Sequence, residues 1–235
     1  MKFLVIDLPN YFARFYYSNP DNCVDRYLRF VKKSILHFSP NYFINLLDAN
    51  KSYKKEIYPL YKSNRNEKPE DFYTKLDEVR FNLSKFGFKC MNSKTLEADD
   101  LANLLVTNIP EMNFVILSND KDLLQLEKEN VKIYNYVGKK ELEFEEKSIK
   151  SFGVETIEQF KLYLALKGDS SDNIPGIKGI GDKKALTIVK QFSYEEILEK
   201  IKDNTEMVEN IKLNMKLVSL YEANWDFDVE RYRIR

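Results

Sequence analysis

The sequence predicts an α/β fold, with a mostly parallel central sheet, flanking helices and a helical region after it. Three observations predict it. Short apolar runs recur at 2–8 (KFLVIDL), 42–47 (YFINLL) and 114–117 (FVIL); runs too short for helices and rich in β-branched residues are strands buried on both faces. Each run leads into an acidic residue at its C-terminal end and later into helical spacing, the alternation of a doubly wound sheet. Beyond about residue 150 the spacing turns helical, with Gly and Pro concentrated between 168 and 181.

The first strand ends in Asp7, and open α/β sheets hold ligands at the C-terminal ends of their strands. Residues 23–38 have helical spacing through Val24, Leu28, Val31 and Ile35. His37, on that helix, stands beside no other ligand type and reads as structural. The second strand ends in Asp48. From 51 to 68, six Lys and Arg face two Glu, a net charge of +4. Here Lys54, Lys55, Lys62 and Arg65 interleave with Tyr53, Tyr58 and Tyr61. Such a stretch can grip a nucleic-acid strand, cations on phosphates and rings on bases; it reads equally as a solvated segment with tyrosines packed beneath. Pro69 opens a helix through Phe72, Leu76, Val79 and Leu83.

Thr95 is the expected N-cap of a helix over 95–108, which puts Glu97 and Asp100 on one face with Asp99 to the side. Single acids in a first helical turn are common complements of the helix dipole; three within four residues ask for more. The third strand runs into Ser118-Asn119-Asp120-Lys121-Asp122 and then an expected helix over 123–129. A short strand pair is expected at 131–136 and 141–145, around Gly138. Helices follow at 155–167, 182–191, 194–202 and 205–223, and the tail from Trp225 alternates like a closing strand.

Composition narrows the chemistry. The chain has 235 residues, 43% hydrophobic and 31% charged, enough for one large domain or a domain with a smaller companion and too apolar for disorder. No apolar run approaches membrane-spanning length, and the N-terminus passes from one lysine into a strand, so no signal peptide is expected. Cys23 and Cys90 are far apart and fit buried thiols in a reducing compartment. A single histidine leaves no material for a zinc site or a Ser-His-Asp triad. Any metal must be held by oxygen, which favours magnesium or manganese. The formal net charge is zero, but basic residues gather at 51–68 and acids at 97–100 and 120–122, a segregation that suits an anionic substrate on basic surfaces.

The acids at element ends are Asp7, Asp48, Glu97, Asp99, Asp100, Asp120, Asp122, Asp169 and Asp172. Brought together, their charges would raise one another's pKa values unless cations lay between them. Two divalent ions about 4 Å apart are the usual device for in-line phosphodiester displacement. Next to Asp169 and Asp172 lies a glycine-rich hairpin, Pro175 to Gly181, entering a lysine-bearing helix; its free N–H groups suit a phosphate.

The segments IDLPN (6–10), YKSNR (61–65), EADD (97–100), SNDKDLLQL (118–126) and LKGDSSDNIPGIKGIGDKKA (166–185) together resemble the 5′-nuclease superfamily. The similarity is narrowest to bacteriophage flap endonucleases and the 5′-nuclease domain of bacterial DNA polymerase I, and runs over roughly residues 3–192. It implies a PIN-like nuclease domain over 1–152 with a helical arch at about 51–89. A helical DNA-binding region over 153–235 would carry a helix–three-turn–helix hairpin at about 164–192. The resemblance assigns Asp7, Asp48, Glu97 and Asp99 to one metal ion, and Asp99, Asp120, Asp122, Asp169 and Asp172 to a second, with Asp100 in support. It puts Lys62 and Arg65 at the scissile phosphate and Arg14 on another phosphate. Lys54 stands where the family has an arginine. Gly176, Gly179 and Gly181, with Lys183 and Lys184, would grip duplex DNA through backbone amides around a potassium ion. Two departures stand out: Leu8-Pro9 in place of small residues after the first aspartate, and Asn119 where glycine is common.

The implied protein is a monomeric, Mg2+- or Mn2+-dependent flap endonuclease and 5′-3′ exonuclease of a bacterial or phage-infected cytoplasm. It would use two metal ions, act away from membranes on DNA 5′ flaps or ends and RNA–DNA primers, and serve primer removal in replication. A structure-specific DNA-binding protein that has lost catalysis is a second reading, against which the full set of acids weighs. A Toprim-like domain using Glu97 with Asp120 and Asp122 leaves the hairpin idle.

Overall fold

The computed structural model describes residues 1–136 and 144–234. They fall into two compact units. The first comprises Met1–Lys51, Glu67–Lys147 and Tyr221–Arg235; the second comprises Ser52–Asn66 and Ser148–Leu220.

The first unit is built on β1 (Lys2–Asp7), β2 (Tyr42–Leu46), β3 (Cys90–Met91), β4 (Asn113–Leu117), β5 (Val131–Tyr136) and β6 (Phe144–Lys147). Among the described residues these form one sheet in the order β3-β2-β1-β4-β5-β6. All neighbours are parallel except β5 and β6, so the expected mostly parallel sheet is found. Strand β1 is paired on both sides, Ile6 opposite Asn45 on β2 and Leu117 on β4. The chain builds β1, β2 and β3 in one direction and then crosses back to β4. The reversal lies between β1 and β4, the point at which open α/β sheets leave a crevice for ligands. The expected strand pair appears as β5 and β6; Gly138 and residues 141–143 lie outside the described residues.

Helices α1 (Leu8–Ser18), α2 (Cys23–Phe38) and α4 (Glu70–Lys85) join Leu4, Ile6, Phe43, Val115 and Leu117 in one aromatic-rich core. Helix α5 (Ala98–Asn108) packs on β1 and β2 and adds nothing to that cluster. Helix α1 is an addition to the expected elements, although the sequence carries its signals. Asp7 caps it by accepting the Asn10 amide at 3.3 Å, Pro9 sits in its first turn, and Leu8, Tyr11, Phe12, Phe15 and Tyr16 are buried at helical spacing. Strand β3 is a second addition, and its two residues are too few to show a period.

Three expectations are corrected. The helix over 95–108 begins at Ala98, with Glu97 rather than Thr95 at the cap. No α-helix covers 123–129; Asp122–Leu126 is a 3₁₀ turn with all five residues buried, and the chain turns extended at Glu127. The tail forms no strand among the described residues. It makes a single antiparallel bridge, Arg233 to Tyr42, and a 3₁₀ turn at Val229–Tyr232. Phe227 stacks on Tyr232 at 5.0 Å, and both rings lie against Phe3. Ring packing on the sheet face supplies what a strand ladder would have supplied.

The second unit contains α3 (Lys54–Ile57), α6 (Ile157–Lys167), α7 (Asp182–Gln191), α8 (Tyr194–Lys200) and α9 (Thr205–Val218). Helix α6 packs on α7 and α9, and α3 on α9. Side-chain caps define the starts: Thr156 accepts the Gln159 amide, Asn204 accepts that of Met207, and Ser193 and Glu196 form a capping box.

Candidate functional site

In the first unit the acids meet at the C-terminal ends of the parallel strands. Asp7 is buried at the end of β1, where its Oδ2 accepts the Ser118 hydroxyl at 2.7 Å. Burial, and then the charges of Asp48 and Asp120, push its carboxyl well above the ordinary carboxylate range, against the pull of the Ser118 and Asn10 donors. Asp48, exposed after β2, accepts the Ala98 amide at 3.0 Å, so its carboxylate faces the positive end of α5. Asp120 accepts the Asp122 amide at 3.0 Å, and Asp122 is buried.

At the start of α5, Glu97, Asp99 and Asp100 each offer a carboxylate oxygen within 4.8 Å of the others. Asp100 is fully buried, and its two oxygens accept backbone amides of Glu97 (3.1 Å) and Tyr221 (2.8 Å). That carboxylate holds the helix start and the C-terminal tail in register.

The second unit carries the other acids, on the turn after α6. Asp169 accepts both the amide and the hydroxyl of Ser171, at 2.9 and 2.7 Å. Asp172 is buried and gathers three partners from the YKSNR segment: it accepts from the Tyr61 hydroxyl at 3.0 Å and from the Arg65 guanidinium, and pairs ionically with Lys62 Nζ at 3.6 Å. Backbone carbonyls of the turn are engaged as well, that of Asp172 by the Lys62 N–H at 2.8 Å and that of Ser170 by Asn64 Nδ2 at 2.6 Å. The buried Asp172 charge is thus compensated by two cations.

The remaining candidates are dispersed. Arg14, exposed on α1, donates to the Tyr136 carbonyl at 2.5 Å. Lys54 is 1% exposed and lies 5.7 Å from the Tyr61 ring centroid; it is buried, not part of an open basic face. Lys183 and Lys184 are exposed on α7, and Lys184 Nζ donates to the Gly179 carbonyl at 2.9 Å. The three hairpin glycines differ in kind. A Cβ on Gly176 would meet the Lys167 carbonyl oxygen at 2.0 Å, whereas one on Gly179 or Gly181 would meet nothing within 4 Å. Gly176 is required by packing, and the other two leave open backbone.

Two family models match the chain: the 5′-3′ exonuclease N-terminal resolvase-like domain over residues 2–155, and the 5′-3′ exonuclease C-terminal SAM fold over residues 155–230. The chain belongs to the 5′-3′ exonuclease family. A 5′-3′ exonuclease of Aquifex aeolicus (strain VF5) is 36% identical over 220 residues, 90% of this chain and 74% of that protein. Flap endonuclease Xni of Photorhabdus laumondii subsp. laumondii is 32% identical over 193 residues, 80% of this chain and 76% of that one. The T5 D15 protein, crystallised with metal ions, shares the fold with a TM-score of 0.80 at 24% identity, covering 93% of this chain and 89% of that one.

For a member of the 5′-3′ exonuclease family, a nuclease and so a hydrolase, the donor set suits hard divalent cations. All the candidate ligands are carboxylates, and the charges that act on Asp7 are themselves carboxylates. Crowded anions that raise one another's pKa values are relieved when a cation joins them. Reasoning from motifs missed Ser118. Its hydroxyl donates to Asp7 and accepts the Asp120 amide at 3.0 Å, and the residue is 1% exposed. Its place in the SNDKD segment was visible, but a serine there carries no signal until the strands bring Asp7 alongside.

Proposed function

We propose that this chain is a divalent-metal-dependent 5′-nuclease that hydrolyses phosphodiesters at 5′ flaps and 5′ ends of DNA and RNA–DNA during primer removal. The observation that carries the reading is the crowding of Asp48 and Asp120 on Asp7 at the sheet's switch point. Asp7, Asp48, Glu97, Asp99, Asp120, Asp122, Asp169 and Asp172 would hold two Mg2+ or Mn2+ ions, and Asp100 holds the frame; joining Asp169 and Asp172 to the sheet acids rests on the family resemblance. Bound there, the ions supply positive charge at the scissile phosphate and activate water.

The chain's own residues do the rest. Lys62 and Arg65 leave Asp172 for the phosphoryl oxygens and neutralise the charge that develops on them. Gly179 and Gly181 leave room for a phosphate to reach backbone amides, and Lys183 and Lys184 add charge beside them; a potassium ion belongs to the same hairpin. Arg14 steers a further phosphate. Burial pushes the Cys90 thiol up to about 11, which fits an inert thiol in the reducing cytoplasm of a bacterium or an infected cell. The protein acts as a monomer.

Incubating the purified chain with end-labelled 5′-flap DNA tests the reading. Cleavage with Mg2+ or Mn2+ that stops on adding chelator is expected; a protein inert on flap, nicked and duplex substrates with either ion sinks it.

A further inference from the structure

We propose that Asn173 is a positioning residue that holds Lys62, and with it Arg65, in the orientation from which they reach a phosphate. The proposal rests on the reading that these two cations act on the scissile phosphate. Lys62 has φ +54°, the left-handed region that a β-carbon disfavours. A lysine stays there only if its surroundings hold it. The Lys62 amide is tied to the Asp172 carbonyl at 2.8 Å, and the Asn173 carboxamide brackets the same residue from both sides. Its Nδ2 donates to the Leu60 carbonyl at 2.8 Å and to Ser63 Oγ at 3.0 Å. Both amide hydrogens are thereby spent on the segment from Leu60 to Ser63, which contains Lys62.

The side chain reaches that segment because Asn173 itself has φ +55°, a conformation asparagine tolerates better than most residues. The turn behind it is closed by reciprocal Asp169–Ile174 backbone bonds of 3.0 and 2.8 Å. Asn173 carries no charge and is not a candidate metal ligand. It acts only through the segment it clamps. Arg65 is held in the same register by its Nε on the Ser171 carbonyl at 3.2 Å, so a slipped clamp displaces both cations.

The test is single-turnover cleavage of 5′-flap DNA with Mg2+ by the full chain. Asn173→Gly keeps the left-handed backbone and removes the clamp; Asn173→Asp keeps the shape and removes the donors, so the test survives if one variant folds poorly. Each is expected to lower the cleavage rate about tenfold or more, since small displacements of positioning groups carry losses of that order. The DNA concentration for half-saturation should move by less than about threefold. In a Lys62→Ala/Arg65→Ala background the same changes should add less than about twofold, because a clamp on absent side chains has nothing left to position. Asn173→Gly at the wild-type rate, or losses that multiply with that of the Lys62→Ala/Arg65→Ala pair, would overturn the proposal. Lys62→Ala at the wild-type rate would overturn the underlying role of Lys62 as well, so the two failures are told apart.

Discussion

Ser118 ties the Asp7 carboxylate to the backbone of Asp120 with one hydroxyl, donating to Asp7 and accepting from the Asp120 amide. Ser118→Ala leaves both without that partner inside the protein. It is expected to destabilise the chain by about 1–3 kcal/mol, measured by urea unfolding, and to raise the metal concentration needed for half-maximal cleavage. An unchanged metal requirement would remove Ser118 from the site. Asp7 makes a prediction with a definite sign. Its folded pKa is raised above the ordinary 3.8 by burial and by Asp48 and Asp120, so the folded state binds the proton more tightly than the unfolded one. The resulting stabilisation is complete below about 3.8 and is lost as pH rises through the higher folded value. In chelator, wild-type protein should therefore lose stability relative to Asp7→Asn as pH rises through that window, and a divalent cation should reverse the loss. Parallel melting curves with pH would refute the coupling.

At the scale of elements, the hairpin between α6 and α7 separates two roles for glycine. Gly168 has φ +80°, and a Cβ on it would meet the Gly176 amide nitrogen at 2.3 Å, so the two backbones touch. Gly176→Ala is expected to destabilise the fold by about 1–3 kcal/mol, the usual range for overpacking against a rigid neighbour. Gly181 has an ordinary negative φ and open surroundings. Gly181→Ala should melt within about 2 °C of wild type, as surface substitutions do, yet weaken duplex binding by covering the amide. Thermal melts and a duplex titration without divalent metal read out the pair; equal effects of both changes would show that the distinction is wrong. Helix α7 is further fixed by Asp182, which takes Lys167 Nζ at 2.7 Å and the Tyr163 hydroxyl at 2.5 Å.

At the scale of the whole molecule, the C-terminal tail is part of the sheet unit. Its Tyr221 amide satisfies Asp100, its Trp225 amide is accepted by Asn108 at 2.7 Å, and its rings cover Phe3. Truncation after Leu220 is expected to melt the protein at least about 5 °C lower, since it uncovers a core aromatic and leaves a buried carboxylate short of a donor. A truncated chain as stable as the full one would show that the tail is an appendage. The Arg233 guanidinium and Tyr42 hydroxyl hold Glu230 down at about 2. Its contribution is present above the ordinary 4.5 and lost as pH falls toward about 2; wild-type protein should lose that advantage over Glu230→Gln across this acid range in melting experiments.

From the sequence alone, the buried strands, the acids at their ends, the helical second half and the glycine hairpin were all legible, because each is written in local periodicity and turn chemistry. Helix α1 was legible in its cap and spacing but hidden behind the strand that feeds it without a loop. What only the tertiary structure decided is how the polar groups are spent. Asp100 serves the tail, Lys54 is buried, Gly176 answers to packing and Lys62 is held at positive φ. Asp172 is bound to the two cations expected at the phosphate, and Ser118 is bound to Asp7. These pairings join residues more than 100 positions apart, and their energy comes from burial and hydrogen-bond geometry that exist only after the sheet and the turns have closed.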